Sequence, residues 1–388
     1  MYLYLFSELF TMIWTILKLM LTSGISMKRW NNFPRIEDIS HLDNVWFTLH
    51  IAMFLSYLEE KNGNKVDKEF IIKKIIFNSI KILVLSDINS GTRNYIEKVS
   101  EDIFLKLEQK AYDYVFSFEV EDYFKEDILK VINNKEKTLE LSIILAARRY
   151  SSYKECLVNR KVFEEMYEIP YKEIMSSLDQ MRKELTSLDM LLKNPNYEKY
   201  LSNIRKLSHS LRWNQQKRMF PISVMSHLVL TTFLSYVIGM IENNKWWNLS
   251  IFEMMFKALY HDIPEAITWD IITPTKKAVP WFEEILEEVE RDMLEDYLFY
   301  YVWDEYEQFV KWYMLNPWTW NEWAYVKSAD IISALFEAKI EVNYGSTNFI
   351  EIYRNIKRKV NTYEYTSIEH ILKHVADSFD NCEDDIHL

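Results

Sequence analysis

The sequence predicts an all-α protein built from two tandem helical domains, and three observations carry that expectation. Only 5 glycines and 8 prolines occur in 388 residues, too few turn-formers for a sheet-rich fold. Apolar residues recur three and four apart along most of the chain, which lines them up on one face of a helix. Short stretches of the first half also recur, in the same order, in the second half.

In the first half the spacing predicts helices over 44–61, 67–86, 100–117, 137–158 and 170–190. In the second half it predicts them over 197–212, 222–242, 251–262, 281–300, 304–314, 321–343 and 366–379. The breaks fall on turn-forming residues, at Asn62-Gly63-Asn64, Asn89-Ser90-Gly91, Ile169-Pro170, Asn194-Pro195, Asn243-Asn244 and Asn316-Pro317. No alternating run is long enough to build a sheet.

Composition narrows the function classes. A net charge of −12 argues against a protein that coats nucleic acid, because neutralising phosphates needs a basic surface. A small phosphate-bearing ligand held by a few local cations stays compatible with it. Cys156 and Cys382 form no CxxC pair and no disulfide framework, which fits a reducing cytoplasm. Residues 1–26 open with an apolar stretch nearly long enough to span a bilayer, but Glu8 and Lys18 interrupt it. A packed amphipathic helix fits it better than a membrane anchor, and a translation start at Met27 is a third reading. The 15% aromatic content permits a homo-oligomer without requiring one.

The repeat organises the chain. "KRWNNF" at 28–33 matches "LRWNQQ" at 211–216, and "LHIAMFLSYLEE" at 49–60 matches "SHLVLTTFLSYV" at 226–237. "KILVLSDINSGTRNYI" at 81–96 matches "KALYHDIPEAITWDII" at 257–272. The expected organisation is an apolar helix over 1–26, a first domain over 27–165, a connecting segment over 166–195 and a second domain over 196–388.

Three apolar helical stretches of the second half each deliver a histidine or an aspartate. His227 lies in "VMSHLVLTTF", His261-Asp262 closes "FEMMFKALYHD", and Asp330 lies in "VKSADIISALFEAK". One such residue is usually a satisfied core group or a helix cap. Three together suggest a cation, since a buried carboxylate without a partner is strongly penalised. Imidazole and carboxylate suit Mn, Co, Mg, Zn or Fe without selecting among them.

The ordered set His227, His261-Asp262, Asp330 resembles the signature of the HD-domain metal-dependent phosphohydrolases. With Arg212-Trp213 fifteen residues before the first histidine, "HDIPEAITWD", "TPTK" and "VKSAD", it is most similar to the YfbR-like 5′-deoxynucleotidases. The resemblance implies two tandem HD-type domains and one divalent metal on His227, His261, Asp262 and Asp330. It implies Glu265 as general acid or base, Arg212 on a 5′-phosphate, and Trp213 and Asp270 shaping the sugar site. Lys217, Arg218, Lys276 and Lys277 could add positive potential, and of these Lys276 is the candidate for substrate. The implied substrate is a deoxynucleoside 5′-monophosphate. Triphosphate or cyclic-nucleotide hydrolysis and a non-catalytic nucleotide sensor are the alternatives.

The first half reads as a degenerate copy. Aligning "LSDINSGTRNY" with "YHDIPEAITWD" sets Ser86 against His261, Asp87 against Asp262, Ser90 against Glu265 and Tyr95 against Asp270. Aligning "LSIILAA" with "ADIISAL" sets Ser142 against Asp330, and His50 lies two positions off its ideal register. At most two ligands survive, too few to hold a catalytic metal.

Overall fold

The computed structural model describes residues 11–85, 88, 90–118, 120–245, 247–268, 279–315 and 321–372. Among them no strand forms, and helices account for most of the described residues. In the first half, α1 (Thr11–Leu19) runs into a π-helical turn and is followed by α2 (His41–Lys61), α3 (Lys68–Leu85) and α4 (Ser90–Phe116). Then come α5 (Asp122–Asn133), α6 (Thr138–Arg160), α7 (Glu164–Met181) and α8 (Thr186–Lys193). The second half holds α9 (Pro195–Ile204), α10 (Val224–Lys245), α11 (Ile251–Tyr260) and the single turn α12 (Glu265–Thr268). It continues through α13 (Phe282–Tyr297), α14 (Asp304–Leu315), α15 (Asn321–Asn343), α16 (Phe349–Val360) and α17 (Thr366–Ile371).

Local chemistry sets the helix starts. Ser40 and Asp43 form a reciprocal capping box at the start of α2, with bonds of 3.1 and 2.8 Å. Asp67 caps α3 through the Phe70 amide, and Ser250 caps α11 through the Glu253 amide. Pro195 opens α9 where its missing N–H costs nothing. Gly63 and Gly345 take positive φ just past α2 and α15, where any other residue would be strained.

The halves repeat at a spacing of 183 residues through α2 and α3 and of 182 residues between α6 and α15. Lys28 bridges Ser40, and Leu211 bridges Ser223. Trp30 and Trp213 share a left-handed backbone, with φ of 56° and 57°. The Arg29 and Arg212 amides donate to the Ile39 and Ile222 carbonyls, each at 2.9 Å. In each half three long helices pack together: α2, α3 and α6 in the first, α10, α11 and α15 in the second. Helices α2 and α10 also pack on each other, so one continuous apolar core runs through both halves.

That contact is a pseudo-two-fold. Ser40 Oγ meets Ser226 Oγ at 3.2 Å, while Asp43 accepts from the Ser223 hydroxyl. The 183-residue shift turns the first pair into the second. Glu37 of the first half also reaches across to Arg205 of the second, at 2.5 Å.

Several boundaries differ from the periodic reading. Helix α7 begins before Pro170 and runs through it, and a break at 182–185 divides the expected 170–190 helix. Helix α9 stops at Ile204, where a 3-10 turn takes over. Helices α5 and α16 were not expected, although Phe124, Ile128 and Val131 carry the helical spacing in α5. Of the apolar N-terminal stretch, Met12, Ile13, Ile16, Leu17, Met20 and Leu21 are core residues, and residues 1–10 lie outside the described set. One described helix, α10, is long and apolar enough to cross a membrane, and it is the buried centre of the second half.

Candidate metal centre

Helix α10 carries His227 into the core, where the ring is closed to solvent. Its Nδ1 lies 2.8 Å from Glu337 Oε1 and 3.1 Å from Ser333 Oγ, both on α15. A carboxylate only accepts, so Nδ1 donates to Glu337 and the ring is held with Nε2 toward the aspartates. That nitrogen lies 3.1 Å from Asp330 Oδ1 and 3.9 Å from Asp262 Oδ2. His261 ends α11 in the same state: its Nδ1 donates to the Ala258 carbonyl at 2.9 Å, and its Nε2 lies 3.2 Å from Asp262 Oδ1.

Three helices thus bring the four predicted ligands together. One ligand atom from each of His227, His261 and Asp262 falls within 4.8 Å of the others, and Asp330 adjoins His227 Nε2. Two imidazoles with Nδ1 tied back and Nε2 turned toward two carboxylates form a donor set that fits a divalent cation.

Electrostatics agrees with the packing. Burial alone would raise the Asp262 carboxyl, but the adjacent His261 holds it well below the ordinary carboxylate range. Asp330 is held down against burial by Lys327, 2.7 Å away, and by His227. In His227 burial and Arg212 push the ring down, and its bonds to Asp330 and Glu337 raise it overall.

A layer beneath the ligands went unforeseen. Glu337, closed to solvent, accepts from Trp213 Nε1 at 2.8 Å and lies 3.5 Å from Arg212 Nε. Arg218 sits 3.7 Å from Glu337 and 3.2 Å from Glu341, leaving 4% of its side chain exposed. Arg218 therefore braces the site from within and lends no charge to its mouth. Asp330, Ser333, Glu337 and Glu341 lie 3, 4 and 4 residues apart on an otherwise apolar helix, and that polar stripe was the readable signal.

Arg212 Nη1 stands 3.7 Å from Asp262 Oδ2, at the edge of the cluster. The Glu337, Asp330, Asp262 and Glu265 charges raise its guanidinium against burial, which places Glu265 within electrostatic reach. Glu265 opens α12, its amide bonded to the Asp262 carbonyl at 3.1 Å. Trp213 is half-buried against Phe349. Asp270, Lys276 and Lys277 lie outside the described residues.

The sequence matches the 5′-deoxynucleotidase YfbR-like family twice, over residues 19–195 and again over 199–379. The chain belongs to that family. Two 5′-deoxynucleotidases that it matches are about half its size. A 5′-deoxynucleotidase of Photobacterium profundum is 20% identical over 191 residues, spanning 97% of that protein and 48% of this chain. One from Yersinia pestis is 22% identical over 190 residues, spanning 96% of its length and 49% of this chain. An HD-domain phosphohydrolase crystal structure from Listeria innocua aligns with 48% of this chain at 22% identity and a TM-score of 0.44. This YfbR-like chain therefore holds two copies of a unit that its relatives carry once.

The matching hydrogen bonds of the two halves correct the expected correspondence between the copies. Asn44, not His50, stands at the position of His227, fifteen residues after its arginine as in the second half. Its Nδ2 bonds Ser151 Oγ and Glu155 Oε1, both at 2.8 Å, as His227 bonds Ser333 and Glu337. Glu155 also accepts from Trp30 Nε1 at 2.7 Å, as Glu337 does from Trp213. Counting back along α6 from Glu155 as one counts from Glu337 to Asp330 reaches Arg148, not Ser142. Asp67 and Ser250 cap matching helices, and Lys74 and Lys257 both donate to backbone carbonyls of a later helix in the same half, α5 and α14. That register sets Asn78-Ser79 at His261-Asp262 and Ile82 at Glu265; Ser86 and Asp87 fall outside the described residues.

Proposed function

We propose that this chain is a divalent-metal-dependent phosphohydrolase that splits deoxynucleoside 5′-monophosphates into nucleoside and phosphate, with its working site in the second half. The observation that carries this reading is the convergence of His227, His261, Asp262 and Asp330 beside Arg212. Family membership and the deoxynucleotidase relatives support the substrate class.

In this reading the four residues hold one cation, of Mn, Co, Mg, Zn or Fe. Such an ion supplies Lewis acidity, acidifying water and neutralising phosphoryl charge. Arg212, with its guanidinium beside Asp262, holds the phosphoryl oxygens in the orientation that a planar fork favours. Glu337 keeps that guanidinium from swinging and fixes the His227 ring. Glu265 takes a proton from the attacking water and returns it to the departing 5′-oxygen. Trp213 and Asp270 shape the sugar site, and Lys276 adds a cation near the phosphate.

The test is phosphate release from deoxy- and ribonucleoside mono- and triphosphates, using stripped protein reloaded with each metal. Release from deoxy-monophosphates that disappears in Asp330→Ala is the expected result. Turnover of triphosphates alone would overturn the substrate. Metal binding with no turnover of any nucleotide would leave a sensor.

A further inference from the structure

The first half has lost every metal ligand, and what replaced them is not neutral. Asn44, Asn78 and Ser79 stand where two histidines and an aspartate stand in the second half, and Arg148 stands at the position of Asp330. Arg29, the counterpart of Arg212, is retained and lies 3.4 Å from Glu155. A cation-binding position has thus become a cation.

Further positive charge surrounds it. Lys81 lies 2.6 Å from Glu108, and Arg93 lies 3.9 Å from the same oxygen. Arg148 feels the fields of Arg93, Arg29, Glu108 and Tyr112. Glu108 and Glu155 are thus already engaged by Lys81, Arg93 and Arg29. Among the described residues Arg148 has no carboxylate within ion-pair distance. Burial and the fields of Arg93 and Arg29 lower its guanidinium, and the opposing fields of Tyr112 and Glu108 do not offset them. Access is preserved: Arg29 keeps 21% of its side chain open, against 17% for Arg212 over the metal centre.

We propose that the first half carries a second, metal-independent site that binds a phosphoryl anion between Arg29 and Arg148, with Lys81 and Arg93 at its rim. Two guanidiniums, one at the position of Arg212 and one at that of Asp330, suit a tetrahedral dianion, which each can engage through two N–H groups. A polyanion is disfavoured by the net charge of −12. The proposal rests on the repeat and stands or falls apart from the catalytic reading of the second half.

The test uses the full chain, stripped of metal and kept in chelator, in an Arg212→Ala background that disables the second half's own anion contact. Calorimetric titration with inorganic phosphate is expected to show about one equivalent bound, weakening as salt rises. Adding Arg148→Ala should weaken binding about tenfold or more, whereas Arg148→Lys should keep most of it. The melting temperature of Arg148→Ala without phosphate is expected to match or exceed that of its parent, because an unpaired cation has been removed. Such a result separates lost binding from lost folding. Absence of binding in the Arg212→Ala background, or equal binding with and without Arg148, would overturn the site. Competition by acetate as strong as that by sulfate would overturn its phosphoryl character.

Discussion

His227 Nδ1 and Glu337 Oε1 lie 2.8 Å apart with both side chains closed to solvent, and this contact decides which ring nitrogen faces the aspartates. Glu337→Gln keeps the shape but removes the charge that fixes the tautomer and neutralises Arg212 and Arg218. Metal affinity is expected to fall about 10- to 100-fold, as for other outer-layer partners of a ligating histidine. Competition titration against a chelator measures it, and unchanged affinity would remove Glu337 from the metal site.

Glu265 is assigned to proton transfer, not to holding metal. Glu265→Gln should lower kcat by roughly 10²- to 10⁴-fold while the bound metal per chain stays the same. Loss of the metal along with activity would instead make Glu265 a ligand.

His50 gives the protein an acid sensitivity unrelated to catalysis. Burial lowers its ring to about 3, and it stays neutral between Trp46 and the Tyr200 hydroxyl. The unfolded chain takes up this proton near pH 6.5 and the folded chain does not, so stability falls as pH drops from about 6.5 toward 3. The slope from this group approaches about 1.4 kcal/mol per pH unit. His50→Phe should flatten the profile over that window in urea titrations, at a cost of about 1 kcal/mol at neutral pH for the lost Tyr200 bond.

Glu37 acts lower on the pH scale. Burial opposes its charge, but bonds from His209 and Arg205 bring the carboxyl down to about 2. The stabilisation is present above the ordinary carboxylate range and is lost as pH falls from about 4.5 to about 2. Glu37→Gln should destabilise the protein by about 2 kcal/mol at pH 7, and the difference from the parent should shrink toward zero below pH 3. A constant difference across that range would mean the pair stabilises by packing alone.

The all-α fold was legible because helical spacing and scarce glycine leave few alternatives. The four candidate ligands were legible because each is polar within an apolar run. The repeat was legible only at "KRWNNF" and "LRWNQQ", where an arginine and a tryptophan anchor the register. The other two matched strings slipped by 6 and 7 residues, close to two helical turns, which returns an amphipathic pattern nearly to itself. Only hydrogen bonds such as Asn44 to Glu155 break that degeneracy. Glu337 was missed because a buried glutamate is visible as a partner only once His227, Trp213 and Arg212 are seen around it.

The exchange of caps between Ser40 and Ser226, and between Asp43 and Ser223, has a consequence for heredity. In a dimer of identical subunits every mutation appears twice, so a change that ruins one site ruins both. Joining the two copies in one polypeptide ends that obligation. The shared seam can persist while one half trades its histidines for amides and an arginine and the other keeps its cluster intact. One gene then supplies both versions in a fixed one-to-one ratio.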